Sequence, residues 1–477
     1  MTADSHSTLK VSAELKTMFD SIHDVLVGNE HLLKGSIDNI SRKRVTDALG
    51  QAGSDFRTNI YENGFSGKMS DIRSSDVIRF LDTTISYLEH TIDANRRSDE
   101  LYHSYNIVRI GADNMSIHPL SEMLEGQVAV LSSGYIKASS AVSLLDALRH
   151  SSLYRADQNS YMLYPDKELP GFLQKNNIHP ESVNNSRLLK KLLSDENLQL
   201  IIADVEGGYH FNGRFRNAAD VKMALENLSS NGYADLVTDE SDYVLQLFEN
   251  VFNHEAFTGR SGTFYAYEGL GSIYWHMVSK LHLAVTEIAI KAISDGEEQE
   301  LITRLTTHFR EIGDGIGVHK SPEAYGAYPT DPYSHTPKHR GAQQPGMTGQ
   351  VKEDILVSIG ELGVQVTDGV LRFDPRLLSP TEFIAEPRTI RIIDVRNQHK
   401  EIDLPENSMC FTICQTPVIY TLRSNPGVEV TFRNGTTKLF DQNHLDANTT
   451  RHIFDRTGEV DSILVGLTAN QLSTVKT

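Results

Sequence analysis

The chain has 477 residues, 39% of them apolar and 23% charged, with a formal net charge of −18 at pH 7. That composition suits a globular protein of one large and one smaller domain, able to bury a sizeable core. The acidic balance excludes a general nucleic-acid or anionic-membrane surface and fits a protein that handles neutral ligands.

The opening residues, MTADSHSTLKVSAELK, contain no basic stretch followed by an apolar one, so no signal peptide is expected. No apolar run reaches the ~18 residues of a membrane span. The expected compartment is the cytoplasm, with no membrane and no nucleic-acid partner, and the oligomeric state is open. Helices are predicted near 10–27, 74–95, 120–132, 139–150, 187–194, 217–229, 240–253, 269–290, 297–310 and 349–362. In 74–95, Val77, Ile78, Leu81, Ile85, Leu88 and Ile92 recur at helical spacing. The segment 269–290 repeats this through Leu270, Ile273, Tyr274, Met277, Val278, Leu281 and Val285. Roughly eleven helices with few strands between them predict an all-helical first domain, close to the twelve helices of a double ring of six hairpins.

The pattern changes after Gly363. TIRIIDV, MCFTICQTPVIYTL, VEVTFRNG and DSILVGLT alternate like strands, and Asn434-Gly435 signals a hairpin. The chain is mainly α: an N-terminal helical extension over 1–30, a helical catalytic domain over 31–365, and a C-terminal β-sandwich-like domain over 366–477. Cys410 and Cys414 are the only cysteines. Both are read on one strand, ~13 Å apart, too far for a disulfide, and so as buried thiols in a reducing compartment.

Three long loops, 151–180, 200–216 and 311–348, are rich in Tyr, Asp, Asn, Gly and His. Aromatic faces pack on the C–H face of a pyranose ring, and carboxylates and amides bind its hydroxyls. In RSGTFYAYEGLGSIYWHM, from Arg260 to Met277, a glycine loop leads into a helix. Glu268 lies near that helix's start, as a cap or as a catalytic carboxyl, and Trp275 and His276 are read as core or supporting groups. Asp157 in LYRADQNSYMLYP sits among Tyr154, Tyr161 and Tyr164. It is either the aspartate of an Asx turn or a general acid. Asp204 and Glu206 alternate in ADVEGGYHFNG. On an extended strand they form a carboxylate pair of the kind that glycoside hydrolysis uses; otherwise they flank a turn at Gly207 and Gly208. Arg214 and Arg216 are near enough in sequence to pair with these acids or to bind an anion. The expected substrate ligands are Tyr154, Tyr161, Asp204, Glu206, Tyr209, Arg260, Tyr267, Asp331, Tyr333, His335, Gln343, Gln344 and Thr348. His335 and His339 lack a clear third ligand, so no metal is expected.

Several of these segments, in this order, resemble the (α/α)6-barrel glycosidases and glycoside phosphorylases, in particular the cellobiose-phosphorylase type of glycoside hydrolase family 94. SGTFYAYEGLGSIYWHM resembles their glycine-rich loop entering an inner helix. DPYSHTPKHRGAQQPGMTGQVKEDIL resembles their late loop, where a Thr-Gly pair opens the last barrel helix. ELGVQVTDGVLRFDPRLL resembles their exit into the C-terminal β domain. The likeness covers about residues 150–380 and is one of pattern. It implies an (α/α)6 barrel over 31–365. In that family the aspartate of an Asp-Trp-Asn-Asp motif is the general acid; the match is Asp157 in ADQNSY, which lacks the tryptophan and the second aspartate. The late threonine helps hold phosphate, which implies that role for Thr348. The family's N-terminal β-sandwich has no counterpart here, so the chain is expected to be the terminal part of a longer enzyme or a diverged stand-alone one.

The function expected is cleavage of a glycosidic bond in an oligo- or polysaccharide with inversion, by a glycoside hydrolase or phosphorylase. Asp157 and Glu268 are the catalytic carboxyls, no cofactor is required, and inorganic phosphate serves as co-substrate in the phosphorolytic case. The alternatives are a non-catalytic carbohydrate-binding or scaffold protein on the same barrel, and a lyase or epimerase acting on sugars through Tyr or His.

Overall fold

The structure is a computed structural model that describes residues 7–166, 168, 170–253, 271–316, 320–325, 335–336, 351–424 and 426–473. Helices dominate it. Those of two turns or more are α1 (Ala13–Gly28), α2 (Asn39–Asn63), α3 (Ser74–Ala94), α4 (Leu124–Ser132), α5 (Ala138–His150), α6 (Arg187–Ser194), α7 (Ala218–Leu228), α8 (Ala234–Phe252), α9 (Trp275–Asp295), α10 (Gln299–Asp314), α11 (Val351–Glu361) and α12 (Ala447–Phe454). The chain folds into two compact units, one of residues 1–126 and 164–271, the other of 127–163 and 272–477.

In the first unit α1 packs on α2 and α3. Ser12 caps α1 by accepting from the Leu15 N–H, and Asp38 caps α2 by accepting from the Ile40 and Ser41 N–H groups, each satisfying donors that the first turn leaves open. The apolar residues whose spacing marks α3 are exposed at Ile78, Leu81, Ile85 and Leu88. The helix buries Thr83, packs Phe80 against Phe19 with the rings tilted at 5.2 Å, and bonds Tyr87 Oη to the Leu26 carbonyl at 3.0 Å.

The second part of this unit has its own core. Leu188, Leu189 and Leu192 of α6 pack with Phe211, Val221, Leu225, Val244 and Phe248. Phe248 meets Phe211 edge-on at 5.2 Å and Phe252 at 4.8 Å. Glu240 of α8 locks the start of α6, accepting from Ser186 Oγ at 2.5 Å and from the Arg187 and Leu188 N–H groups at 3.0 and 3.1 Å. Carboxylate oxygens at a helix N-terminus satisfy both the open donors and the dipole.

In the second unit α9 is buried on more than one face, from Trp275 through Leu281 and Val285 to Ala292. It packs on α5, α10 and α11. Gly360 lets α11 come this close, since a Cβ there would lie 2.6 Å from Thr286 Cγ2 on α9. After α11 the chain turns through Gly363, at φ +65°, into the hairpin Val364–Thr367 with Val370–Phe373.

Residues 408–467 form one five-stranded sheet in the order Ser408–Ile413, Thr416–Leu422, Val460–Leu467, Gly427–Phe432, Thr437–Phe440. Thr416–Leu422 runs parallel to Val460–Leu467, and every other pair is antiparallel. Its core holds Phe373, Val418, Tyr420, Val430, Ile453, Ile463 and Val465. Asn434-Gly435 makes the expected turn.

Four expectations are corrected. Among the described residues the helices do not close into a barrel. Strands are not confined to the C-terminal part: five short antiparallel pairs lie before residue 365, with no parallel pairing among them. The C-terminal strands make one mixed five-stranded sheet, with α12 in the crossover to its central strand, and two separate hairpins, Val364–Thr367 with Val370–Phe373 and Arg388–Ile393 with His399–Leu404, where a sandwich was expected. Cys414 lies in a hairpin turn, with Gln415, both at positive φ. Both cysteines are unpaired, and burial pushes the Cys410 thiol up to about 11. Among the described residues no helix is long and apolar enough to cross a membrane.

Candidate active site

Three segments of the second unit meet at the start of α9. The short hairpin Tyr154–Arg155 with Ser160–Tyr161 carries Asp157 on the turn between its strands. The Leu163 N–H donates to the Ser272 carbonyl at 3.0 Å. Ile273–Tyr274 pairs with His335–Thr336, which sets His335 opposite Tyr274.

The Asp157 turn is tightly fixed. Asn159 adopts the left-handed conformation at φ 47°, which asparagine tolerates better than most residues, and its Oδ1 accepts from Tyr154 Oη at 2.8 Å. Gly315, just after α10, lies so close that a Cβ would sit 2.3 Å from the Asn159 carbonyl oxygen. Arg155 is 4% exposed at its side chain and Asp157 43%. Nε and Nη2 of Arg155 donate to both Asp157 oxygens at 2.9–3.2 Å. A proton to be donated by Asp157 would sit on one of those oxygens, so an acid role requires that side of the pair to open.

Lys320 enters from the segment after α10. Its ammonium donates to the Gln158 carbonyl and stands 5.1 Å from the centroid of the Trp275 ring, a cation–π arrangement. Burial pulls this amine down to about 8, with Asp157 opposing the shift and Arg155 adding to it.

One residue on from Trp275, His276 Nε2 donates to Glu353 Oε1 at 3.2 Å, and its Nδ1 lies 3.4 Å from Tyr274 Oη. Glu353 is 3% exposed. Among the described residues, Glu353 Oε2, Ser279 Oγ, Gln158 Oε1 and Ser160 Oγ are buried without a hydrogen-bond partner. A buried polar atom left alone costs ~1–3 kcal/mol.

Tyr154 and Tyr161, expected as sugar platforms, belong to the hairpin's own packing. Tyr161 is 1% exposed, its ring 5.4 Å from that of Tyr154, and burial pushes its hydroxyl up to about 12 against the opposing effect of Arg149. Arg149 covers the Tyr154 ring at 4.0 Å. Tyr161 is thus sealed in the hairpin, while Tyr154 is half-buried.

Asp204, Glu206 and Tyr209 lie in the first unit. Asp204 closes a turn by accepting from the Glu206 and Gly208 N–H groups at 2.8 and 2.7 Å, and it bonds His210 Nε2 at 2.8 Å. The His210 ring, then the Gly208 N–H, holds Asp204 below its ordinary range. Asp204 in turn raises His210, helped by the Asn176 carbonyl. The turn reading therefore holds, and the two carboxylates do not form a pair across a strand. Glu206 is exposed, and Tyr209 packs on the core beneath. Arg216 pairs with Asp220, not with these acids. Arg260, Tyr267, Glu268, Asp331, Tyr333, Gln343, Gln344 and Thr348 lie outside the described residues, and His335 is described in its backbone alone.

Sequence reasoning missed Arg155, Lys320 and Glu353. Lys320 opens the quoted loop KSPEAYG but carries no pattern of its own. Glu353 in VKED reads as one more helix charge, and only the packing of α11 on α9 shows that it is buried. Among the described residues no group of three or more His, Cys, Asp or Glu is arranged to hold a metal.

Residues 169–255 match the family described as GH149 phosphorylase insertion domain 2. They lie within the first unit and contain the Leu188–Phe248 core. No curated protein matches the chain. The family match supports a glycoside phosphorylase, an enzyme of carbohydrate metabolism.

Proposed function

We propose that the protein takes part in phosphorolysis of a glycosidic bond in an oligo- or polysaccharide, with inversion. The observation that carries this reading is the match of residues 169–255 to a phosphorylase insertion domain. The site around α9 is compatible with it. In this reaction a carboxylic acid protonates the departing glycosidic oxygen while an orthophosphate oxygen attacks the anomeric carbon from the opposite face. The products are a sugar 1-phosphate of inverted configuration and a shortened sugar. Phosphate needs cationic or N–H donors and no general base, unlike the water of an inverting hydrolase.

Asp157 and Glu268 are the proposed acids, one of them donating the proton and the other binding sugar hydroxyls. Thr348 is the proposed phosphate ligand. His276 is held between the buried Glu353 and Tyr274 Oη at the same end of α9, as a supporting group. No cofactor takes part, and the proposed compartment is the cytoplasm.

The test is a panel of oligosaccharides incubated with and without inorganic phosphate, with products read by phosphorus and proton NMR. Phosphate-dependent appearance of a sugar 1-phosphate with the anomeric configuration opposite to the substrate is the expected result. Sugar release at the same rate without phosphate would replace the reading by hydrolysis. Binding with no turnover would favour the non-catalytic carbohydrate-binding alternative.

A further inference from the structure

The chain has a single tryptophan, Trp275, and a lysine side chain stands over its ring. We propose that Lys320 is a positioning residue for Asp157: by bonding the Gln158 carbonyl across the face of Trp275, it ties the segment after α10 to the turn that carries the carboxylate. The role assigned to Asp157 rests on the phosphorolytic reading above; the tie itself rests on geometry alone.

Each part of the turn is held by a different element. Arg155 grips the Asp157 carboxylate from the strand before it. Tyr154 holds Asn159. Gly315 gives the end of α10 room to pass the Asn159 carbonyl. These contacts fix the sides of the turn. Lys320 alone, among the described residues, reaches the Gln158 carbonyl from a distant part of the chain. Its ammonium is half-buried, and the Trp275 face supplies the attraction that water would otherwise give.

The charged groups facing it are Asp157 and Arg155 from the hairpin. Trp275, its contact on α9, carries no charge, and Glu323 on the following turn of helix is exposed. The amine is buried beside one cation and one anion, so it loses its proton at about 8, well below an exposed lysine. The neutral amine keeps a weaker hydrogen bond to Gln158 and loses its attraction to the indole and to Asp157. The tie is therefore expected to loosen in mildly alkaline solution.

Trp275 reports this directly. Its emission, excited where tyrosine does not absorb, is followed from pH 6 to 9.5 in the full chain and in the variants Lys320→Arg and Lys320→Met, with far-UV circular dichroism checking that each is folded. The wild type is expected to show one transition with its midpoint near 8. Both variants should lack it, because a guanidinium does not titrate there and a thioether does not titrate at all.

On a substrate found with phosphate, Lys320→Met should lower kcat at least tenfold with KM for the sugar little changed. Lys320→Arg should restore most of the rate and extend it to higher pH. A flat wild-type titration, an unchanged transition in Lys320→Met, or wild-type kcat in Lys320→Met would each overturn the assignment. If no substrate is turned over but the emission transition behaves as stated, the tie stands and the phosphorolytic reading falls.

Discussion

Removal of the His276 ring tests whether the pair at the head of α9 is a coupled buried unit. Glu353 Oε1 accepts from His276 Nε2 at 3.2 Å, with side chains 4% and 17% exposed. The other oxygen has no partner among the described residues. Lys352 Nζ lies 3.5 Å from Oε1 but is 70% exposed, so water and salt screen its help. His276→Ala therefore leaves a buried carboxyl with one screened contact. A hydrogen bond to such a group contributes ~1.5–3 kcal/mol, and leaving the acceptor unsatisfied adds desolvation. The loss should be about 2–3 kcal/mol, short of the ~3–5 kcal/mol for fully breaking a sealed ion pair, because Lys352 remains. Glu353→Gln keeps an acceptor oxygen at nearly the same place and should cost about 1 kcal/mol. In the double variant the two losses should fall short of additivity by ~1 kcal/mol or more. Urea unfolding followed on Trp275, adjacent to the pair, is the assay. With a slope of ~1–3 kcal/mol per molar urea, His276→Ala should lower the midpoint by about 1 M. A His276→Ala midpoint equal to the wild type's, or strictly additive losses, would refute the coupling.

Three further outcomes follow from the same geometry. Asp157→Asn and Glu268→Gln each remove one ionisable proton at nearly constant shape; the residue that is the acid should lose ~10²–10⁴-fold in turnover while sugar binding survives, and full activity in both would move the search to Asp204, Glu206 and Asp331. Phe248→Ala opens a void among Phe211, Leu247 and Phe252 and should destabilise the region 169–255 by ~3–5 kcal/mol in denaturant titration; a loss below about 1 kcal/mol would mean that this core does not hold the module together. The His210–Asp204 bond raises His210 above its ordinary 6.5 and lowers Asp204 below its ordinary 3.8. The His210 contribution is complete below 6.5 and fades as pH rises through its raised value, while the Asp204 contribution is complete above 3.8 and fades as pH falls through its lowered value. The melting difference between wild type and His210→Ala should therefore be larger at pH 5.5 than at pH 8.5, and equal differences would contradict the bond.

Helical periodicity located most of the helices but did not tell which face each one buries. The apolar stripe of α3 is real in the sequence, yet Ile78, Leu81, Ile85 and Leu88 are exposed, while Phe80, Thr83 and Tyr87 make the inward contacts. An aromatic and a threonine can do that work because Phe80 packs against Phe19 and Thr83 bonds Glu30 at 2.8 Å, and neither partner is visible along one helix. The 25-residue α2 escaped notice altogether. Its residues are mostly polar, with Gly50 and Gly53 inside, and it buries Ala52 alone, so it gives no periodic signal. The early hairpins are two to five residues long, too short for alternation to register. Period two after Gly363 found the C-terminal strands but could not give their order, because pairing partners are set by the core of Tyr420, Val430 and Val465 and by α12 in the crossover.

The site was legible as a set of loops and illegible as a geometry, for a reason visible at Asp157. Its neighbours Tyr154 and Tyr161 invite a reading as sugar platforms, because aromatic residues around a carboxyl look alike whether they face a ligand or each other. What separates the two cases is the cation inventory. Arg155 is buried beneath the carboxylate, Arg149 covers Tyr154, and Lys320 arrives from more than 150 residues away. Arg149 lies over the Tyr154 ring, and Tyr161 is buried. Asp157, 43% exposed, is the charged group of the turn that reaches solvent, with Arg155 buried and Lys320 half-buried beside it. The expected role of the hairpin is therefore to present a charge at a fixed point, with sugar stacking on other aromatic residues. Among those expected, Tyr267 and Tyr333 remain, Tyr267 in the segment before α9 and Tyr333 two residues before His335. Replacing each by alanine should raise KM for the sugar, by at least tenfold for the one that stacks. Tyr154→Ala should act on the stability of the hairpin instead, read as a lower melting temperature with KM unchanged. If Tyr154→Ala raised KM and left the melting temperature in place, the division between a charged hairpin and aromatic loops would be wrong.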